Sequence, residues 1–254
     1  MSPSCLNCGA PLSAPYCGQC GQSGAVHPYS IAGLLHDIPH AVFHLDRGLW
    51  PTLLGLLRAP GETVRNYLDG QRVRYFNPLT LLVLCVGLYV ACYSRADFLP
   101  LISRMTGTRL QAAGLDPLQW ATRFMSLLLL VIVPLQAWGN WLFFRRGRRN
   151  LAEHMVAIAF VNALTTLLMV IPLFPLLWVL AHLGPKAQAA VGPAWLAGVI
   201  ISTSYQTWAV GQIFDEPGLR PSAQWRAQLG MGVVVLVMVL IGAIAGFTWV
   251  LLRR

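Results

Sequence analysis

The feature that most constrains this chain is its series of long apolar runs after Asn77. Leu79–Tyr93, Trp120–Phe144, Met155–Ala181, Trp195–Ile213 and Leu229–Leu252 carry no Asp, Glu, Lys or Arg at mid-depth. A water-facing helix needs a polar side along its whole length, and these runs have none. Four of them reach the length of about 17–25 residues that a helix needs to cross a bilayer, and the first falls short. Charged residues make up only 11% of the chain, against about 25% in ordinary globular proteins. A soluble domain is thereby excluded. The expected fold is an all-α multi-pass membrane protein with about five transmembrane helices, a small N-terminal zinc-ribbon-like head and amphipathic interfacial helices. Its parts are the head at 1–25, a juxtamembrane segment at 26–78 and the bundle at 79–254, with spans near 78–94, 120–144, 154–181, 195–213 and 229–252.

Orientation follows from the basic residues. Arg47, Arg58, Arg65, Arg72 and Arg74 precede the first span, and Arg145, Arg146, Arg148 and Arg149 follow the second. Both groups belong on the cytoplasmic side, which two crossings between them satisfy. Arg220 and Arg226 then fall inside as well, so that side holds eleven of the 18 Lys and Arg residues. The terminal pair Arg253 and Arg254 opposes five crossings and leaves a sixth, or a re-entrant segment, open. The net charge of +9 fits anionic inner-leaflet lipid. Nucleic acid is not expected as a partner, because no long basic run or basic soluble domain accompanies that charge.

The first 25 residues read differently. Cys5-x2-Cys8-x8-Cys17-x2-Cys20 sets two CxxC turns close together, each followed by glycine, Gly9 or Gly21. Such a pair of turns supplies four thiolates to one tetrahedral ion and leaves no open coordination position, so the site is structural. Some twenty residues cannot bury a core, and metal binding would supply the folding free energy. One Zn2+ is the expected cofactor; rubredoxin-like iron and two disulfides are the alternatives. The head lacks the basic start and apolar core of a signal peptide, which places it in the reducing cytoplasm.

Between head and bundle lies the most densely functionalised stretch. Residues 30–45 have helical apolar spacing and a polar side with His36, His40 and His44, each four residues from the next. Two histidines at that spacing can share a metal, so the row is a possible second site; an interfacial helix with its imidazoles among headgroups is the alternative. Leu49–Leu57 is apolar but too short to span. Pro60 and Gly61 break it, Glu62 opens a second short helix, Gly70 suits its C-cap, and Pro78 suits the start of the first span. Arg72, Arg74, Tyr75 and Phe76 together look like an inner-leaflet anchor.

Asp46, Arg47, Gly48, Thr52, Pro60, Gly61, Arg65, Tyr67, Gly70, Arg72, Tyr75 and Pro78, following a double CxxCG head, resemble a family of bacterial membrane proteins catalogued as domain of unknown function 3667. The resemblance covers residues 5–84. It implies an integral protein of the bacterial cytoplasmic membrane with a zinc-ribbon-like head, and it implies no activity.

Three functions are compatible with these residues. A non-enzymatic scaffold that binds a protein partner through its cytoplasmic ribbon accords best with a closed metal site and uncharged spans. A small-solute or lipid transporter would use Gln136, Asn140, Asn162, Thr165, Thr166, Ser202, Ser204, Gln206 and Thr207, with His154 at one end. Those polar groups equally suit hydrogen bonds that hold the bundle together. A lipid-modifying enzyme would have to rely on His36, His40, His44, Asp46 and Arg47, where no nucleophile or second carboxylate completes a catalytic set. Cys85 and Cys92 share one face of the first span and read as packing residues.

Overall fold

The computed structural model describes residues 4–34, 48–95, 132–144, 147, 149–214, 225–230 and 232. Among these residues the chain is helical and has no strand; the head contributes two isolated bridges, Ser4 to Pro11 and Tyr16 to Ser23. Helix α1 is Leu49–Arg58 and α2 is Pro60–Leu68, turning at Ala59. Pro60 starts α2 because its missing N–H is needed by no earlier carbonyl there. The helix ends in a Schellman turn: Gly70 at φ +111° lets Gln71 N–H reach Asn66 O at 2.9 Å and Gly70 N–H reach Tyr67 O at 3.1 Å. Helix α3, Pro78–Arg95, is capped by Asn77, whose Oδ1 accepts from the amides of Leu79 and Thr80 at 2.9 and 3.3 Å.

Helix α4 covers residues 132–144. Helix α5 runs Leu151–His182 without a break. Asn150 and Glu153 start it with a reciprocal capping box, each side chain bonded to the other's backbone N–H at 2.9 Å. Pro172, which cannot donate to the helical ladder, lies in a π-helical stretch, Met169–Leu173, that widens the helix by one residue. The remaining elements are α6 at Pro185–Gln188, α7 at Val191–Ile213 and α8 at residues 225–230. Helix α3 packs along α5, and α7 crosses both α5 and α2. At their centre Val156, Ala157, Ala159, Phe160 and Ala163 of α5 are almost wholly removed from solvent. Small side chains on one helix let a neighbour approach closely.

Among the described residues one helix, Leu151–His182, is both long and apolar enough to cross a membrane. The expectation of five spans is not supported at that level. Among the described residues the apolar part of α3 is Pro78–Cys92, shorter than a crossing usually needs. Helix α7 has 23 residues, but Ser202, Thr203, Ser204, Gln206 and Thr207 crowd its C-terminal half. Of the expected spans near 120–144 and 229–252, only residues 132–144 and 229, 230 and 232 fall among the described ones.

Candidate metal centre and the elbow that holds it

The head is one loop design used twice, twelve residues apart. In the first copy the Cys5 amide donates to Ala10 O at 2.8 Å and the Gly9 amide to Cys5 O at 2.9 Å. In the second, the Cys17 amide donates to Gln22 O at 2.8 Å and the Gly21 amide to Cys17 O at 2.9 Å. Each loop closes through a glycine at positive φ, Gly9 at +76° and Gly21 at +75°, as the CxxCG spacing requires. The loops face each other and bring all four sulfurs within 4.8 Å of one another.

Those separations suit one shared ion. Cys5 and Cys20 sulfurs lie 3.6 Å apart and Cys8 and Cys17 sulfurs 3.5 Å apart. Four thiolates at the usual zinc–sulfur distance of about 2.3 Å define a tetrahedron with edges of about 3.8 Å. A disulfide would need about 2.05 Å. The thiols are already tuned unequally. Amides of Cys20 and Gln19 pull the Cys17 thiol down to about 6, and those of Cys8 and Asn7 lower Cys5. At Cys8 the Ala10 amide also lowers the value, but burial and the neighbouring sulfurs of Cys17, Cys20 and Cys5 outweigh it and raise the thiol to about 12. Four negative sulfurs at this spacing repel one another, and a cation at the centre removes that conflict. The residues present therefore fit a tetrahedral metal ion.

The head is seated on the turn that follows α2. Gln22 is buried, and its amide Nε2 donates to Gly70 O at 2.8 Å. Its Oε1 accepts from the amides of Arg72 and Val73 at 3.0 and 3.3 Å. Asn7 Oδ1 in the first loop accepts from the Arg74 amide at 3.0 Å. One glutamine and one asparagine thus replace water at four backbone groups of an otherwise irregular turn. Gly70 also admits Leu6: a Cβ there would come within 2.7 Å of Leu6 Cδ1. Arg72 reaches the other way, donating to His27 O at 2.5 Å while its guanidinium lies 4.2 Å from the centre of the Tyr29 ring.

The same elbow is tied into the bundle at several points. Arg65 donates to the carbonyls of Gln212 and Ile213, two of the unpaired acceptors at the end of α7. Gly61 brings α2 against this helix end so closely that a Cβ would lie 2.7 Å from Gln212 O. Tyr205 OH donates to Leu56 O at 2.7 Å. Tyr67 meets Phe160 edge-on, with ring centres 5.0 Å apart, and accepts from Tyr29 OH at 2.9 Å. Arg149 bridges Asp69 at 2.5 Å and Glu153 at 3.3 Å, joining the elbow to the first turn of α5. Asn150 Nδ2 adds a bond to Tyr29 O at 3.0 Å. Thr52 in α1 donates to Gly48 O and accepts from the Phe76 amide, both at 2.7 Å.

The residues singled out from the sequence divide accordingly. Cys5, Cys8, Cys17 and Cys20 come together. Gly48, Thr52, Pro60, Gly61, Arg65, Tyr67, Gly70, Arg72, Tyr75 and Pro78 all lie at joints between α1, α2, α3, α7 and the head. His36, His40, His44, Asp46 and Arg47 lie outside the described residues. The anchor read at Arg72, Arg74, Tyr75 and Phe76 is corrected in part: Tyr75 and Phe76 are buried, since Gly48 lets α1 press on their backbone, and Arg72 serves the head. Within the bundle, Asn162 Nδ2 donates to Gln136 Oε1 on α4 at 2.6 Å, and Gln206 on α7 donates to Thr165 Oγ1 at 3.2 Å and to Asn162 Oδ1 at 3.4 Å. Three helices are thereby linked through their amides. His154, fully buried, stacks on Phe214 with ring centres 3.9 Å apart. Gln22 and the Asp69–Arg149 pair were not foreseen. The one hint for Gln22 was that the second loop, CGQCGQ, ends in an amide where the first, CLNCGA, ends in alanine.

The class defined by this geometry is a four-cysteine head, able to hold a metal ion, clamped on a helical elbow beside a helix long enough to cross a membrane. The sequence profile of the family described as Protein of unknown function (DUF3667) matches residues 46–90, which take in α1, α2, the elbow and most of α3. No curated protein and no solved structure matches the chain.

Proposed function

We propose that the chain is a multi-pass protein of the bacterial cytoplasmic membrane whose N-terminal zinc ribbon, on the cytoplasmic side, acts as a non-enzymatic clamp and docking module. The observation that carries this reading is Gln22: its side chain joins three backbone groups of the elbow, so the ribbon and the start of α3 form one unit. Zinc would fix the two loops through Cys5, Cys8, Cys17 and Cys20 and would supply rigidity, with no reaction at the ion. The clamp uses the side of the ribbon that carries Leu6, Asn7 and Gln22 and leaves Tyr16, 67% exposed, as a surface for a protein partner. The links among Gln136, Asn162, Thr165 and Gln206 support packing of the bundle over a polar conduction path, since the amides are engaged with one another. Five crossings, with the N-terminus inside, belong to the same proposal. Its test is alkaline carbonate extraction combined with labelling of an N-terminal tag in spheroplasts. The expected result is a chain that stays with the membrane and a tag reached only after permeabilisation; a released chain or an externally labelled tag overturns the reading.

A further inference from the structure

Helix α1 has two unlike sides. Thr52 and Leu56 are fully buried against the bundle. Trp50, Leu54 and Leu57, at helical spacing i, i+4 and i+7, point away from it and are 71%, 45% and 46% exposed. Large apolar side chains in one row on a short helix call for a cover. An arginine stands at each end of that row. Arg58 closes the last turn of α1 and is exposed. Arg74 lies at the other end, because Gly48, just before α1, sits against the backbone of Arg74, Tyr75 and Phe76. Its side chain is exposed too, since the contact that ties it to the head is made by the backbone amide.

We infer that this row is an interfacial anchor for anionic phospholipid, with Trp50, Leu54 and Leu57 sunk to the level of the acyl ester groups and Arg58 and Arg74 engaging headgroup phosphates on either side. The inference rests on the membrane reading above and adds the surface and the lipid class. Three physical points select this occupant. A ten-residue helix is about 15 Å long, too short to span but suited to lying in the plane of the leaflet. Tryptophan prefers the headgroup boundary, where its ring is buried and its N–H stays wet. Two flanking cations and no acidic residue within α1 complement a negative surface. The anchor pulls on a mechanically connected element, because Tyr205 OH bonds to Leu56 O and Thr52 bonds to the Phe76 amide.

The test uses the full-length chain in nanodiscs that mix phosphatidylglycerol with phosphatidylcholine, followed by native mass spectrometry of the lipids retained on the released protein. Wild type should retain phosphatidylglycerol in preference. Each of Arg58→Gln and Arg74→Gln should lower that preference about five-fold, the effect of one basic residue at an anionic surface. Leu54→Glu with Leu57→Glu should abolish it while the chain remains resistant to carbonate extraction. An unchanged preference in the arginine variants, with the chain still integrated, overturns the anchor alone. So does a wild-type dimer dispersed by the Leu54→Glu and Leu57→Glu pair, which would make the row an interface between copies. Loss of integration already in wild type would overturn the membrane reading itself.

Discussion

The ribbon and the bundle are held together by opposite means. The ribbon, residues 4–25, has almost no apolar interior: Cys5 and Cys17 are the only buried hydrophobic residues it contributes. Its two loops instead bring four sulfurs within 4.8 Å of one another, where thiolates repel unless a cation lies between them. The bundle depends on area, with Phe76, Phe144, Phe160, Leu81, Val64 and Val156 almost fully removed from solvent, and on amides joined across α4, α5 and α7. On the proposed reading, one region is conditional on a ligand and the other is not. The elbow between them borrows from both, taking backbone partners from Gln22 and Asn7 on one side and helix-end contacts through Arg65 and Gly61 on the other.

The sharpest break in this comparison is Cys17→Ser. Metal content should fall from one ion per chain to none by plasma mass spectrometry, and the ribbon should become protease-sensitive while α5 and α7 keep their helical circular dichroism. Global unfolding on loss of the ion would show that the two regions are not independent. A smaller effect is expected on the bundle side of the elbow. Gly61→Ala forces a methyl group onto the backbone of Gln212, and overpacking of this kind costs about 1–3 kcal/mol, to be read as a drop in thermal stability in detergent. Gly87→Ala is the control, because a Cβ there meets nothing within 4 Å. Metal content should stay unchanged in both. The smallest effect is that of Asn162→Leu, which removes the shared partner of Gln136 and Gln206. Hydrogen bonds between helices in lipid are worth about 0.6 kcal/mol on average and up to about 1.7, so unfolding in denaturing detergent should shift only within that range.

The two regions also differed in how far the amino-acid sequence revealed them. The ribbon could be read because its chemistry is local: four cysteines and two glycines within the seventeen residues from Cys5 to Gly21 fix both the loops and the shared site. Short-range punctuation was readable for the same reason, as with Pro60 at the start of α2, Gly70 in the Schellman turn and Pro78 at the start of α3. What the ribbon grips could not be read. Gln22 and Gly70 stand 48 residues apart, and neither carries a charge or an apolar surface that would announce a contact. Tyr75 and Phe76 misled because aromatic residues beside arginines ahead of a span look the same whether they face lipid or the bundle. Gly48 and Thr52 decide the matter, by letting α1 lie over them and by taking up the Phe76 amide. Pro172 interrupts the hydrogen-bond ladder of α5, but the residue type alone does not say that the helix answers with a π-helical stretch. The links among Gln136, Asn162 and Gln206 were present as residue types, and only the rotation of three helices about their axes brings them together.

The most direct measurement is hydrogen–deuterium exchange at the amides of Arg72, Val73 and Arg74, in the metal-loaded chain and after chelation. All three donate to ribbon side chains, and an amide bond of this strength protects about ten-fold. If the ion holds the ribbon on the elbow, chelation should release these three amides by about that factor and leave residues 156–164 of α5 unaffected. Exchange at the elbow that is the same with and without the ion would contradict it.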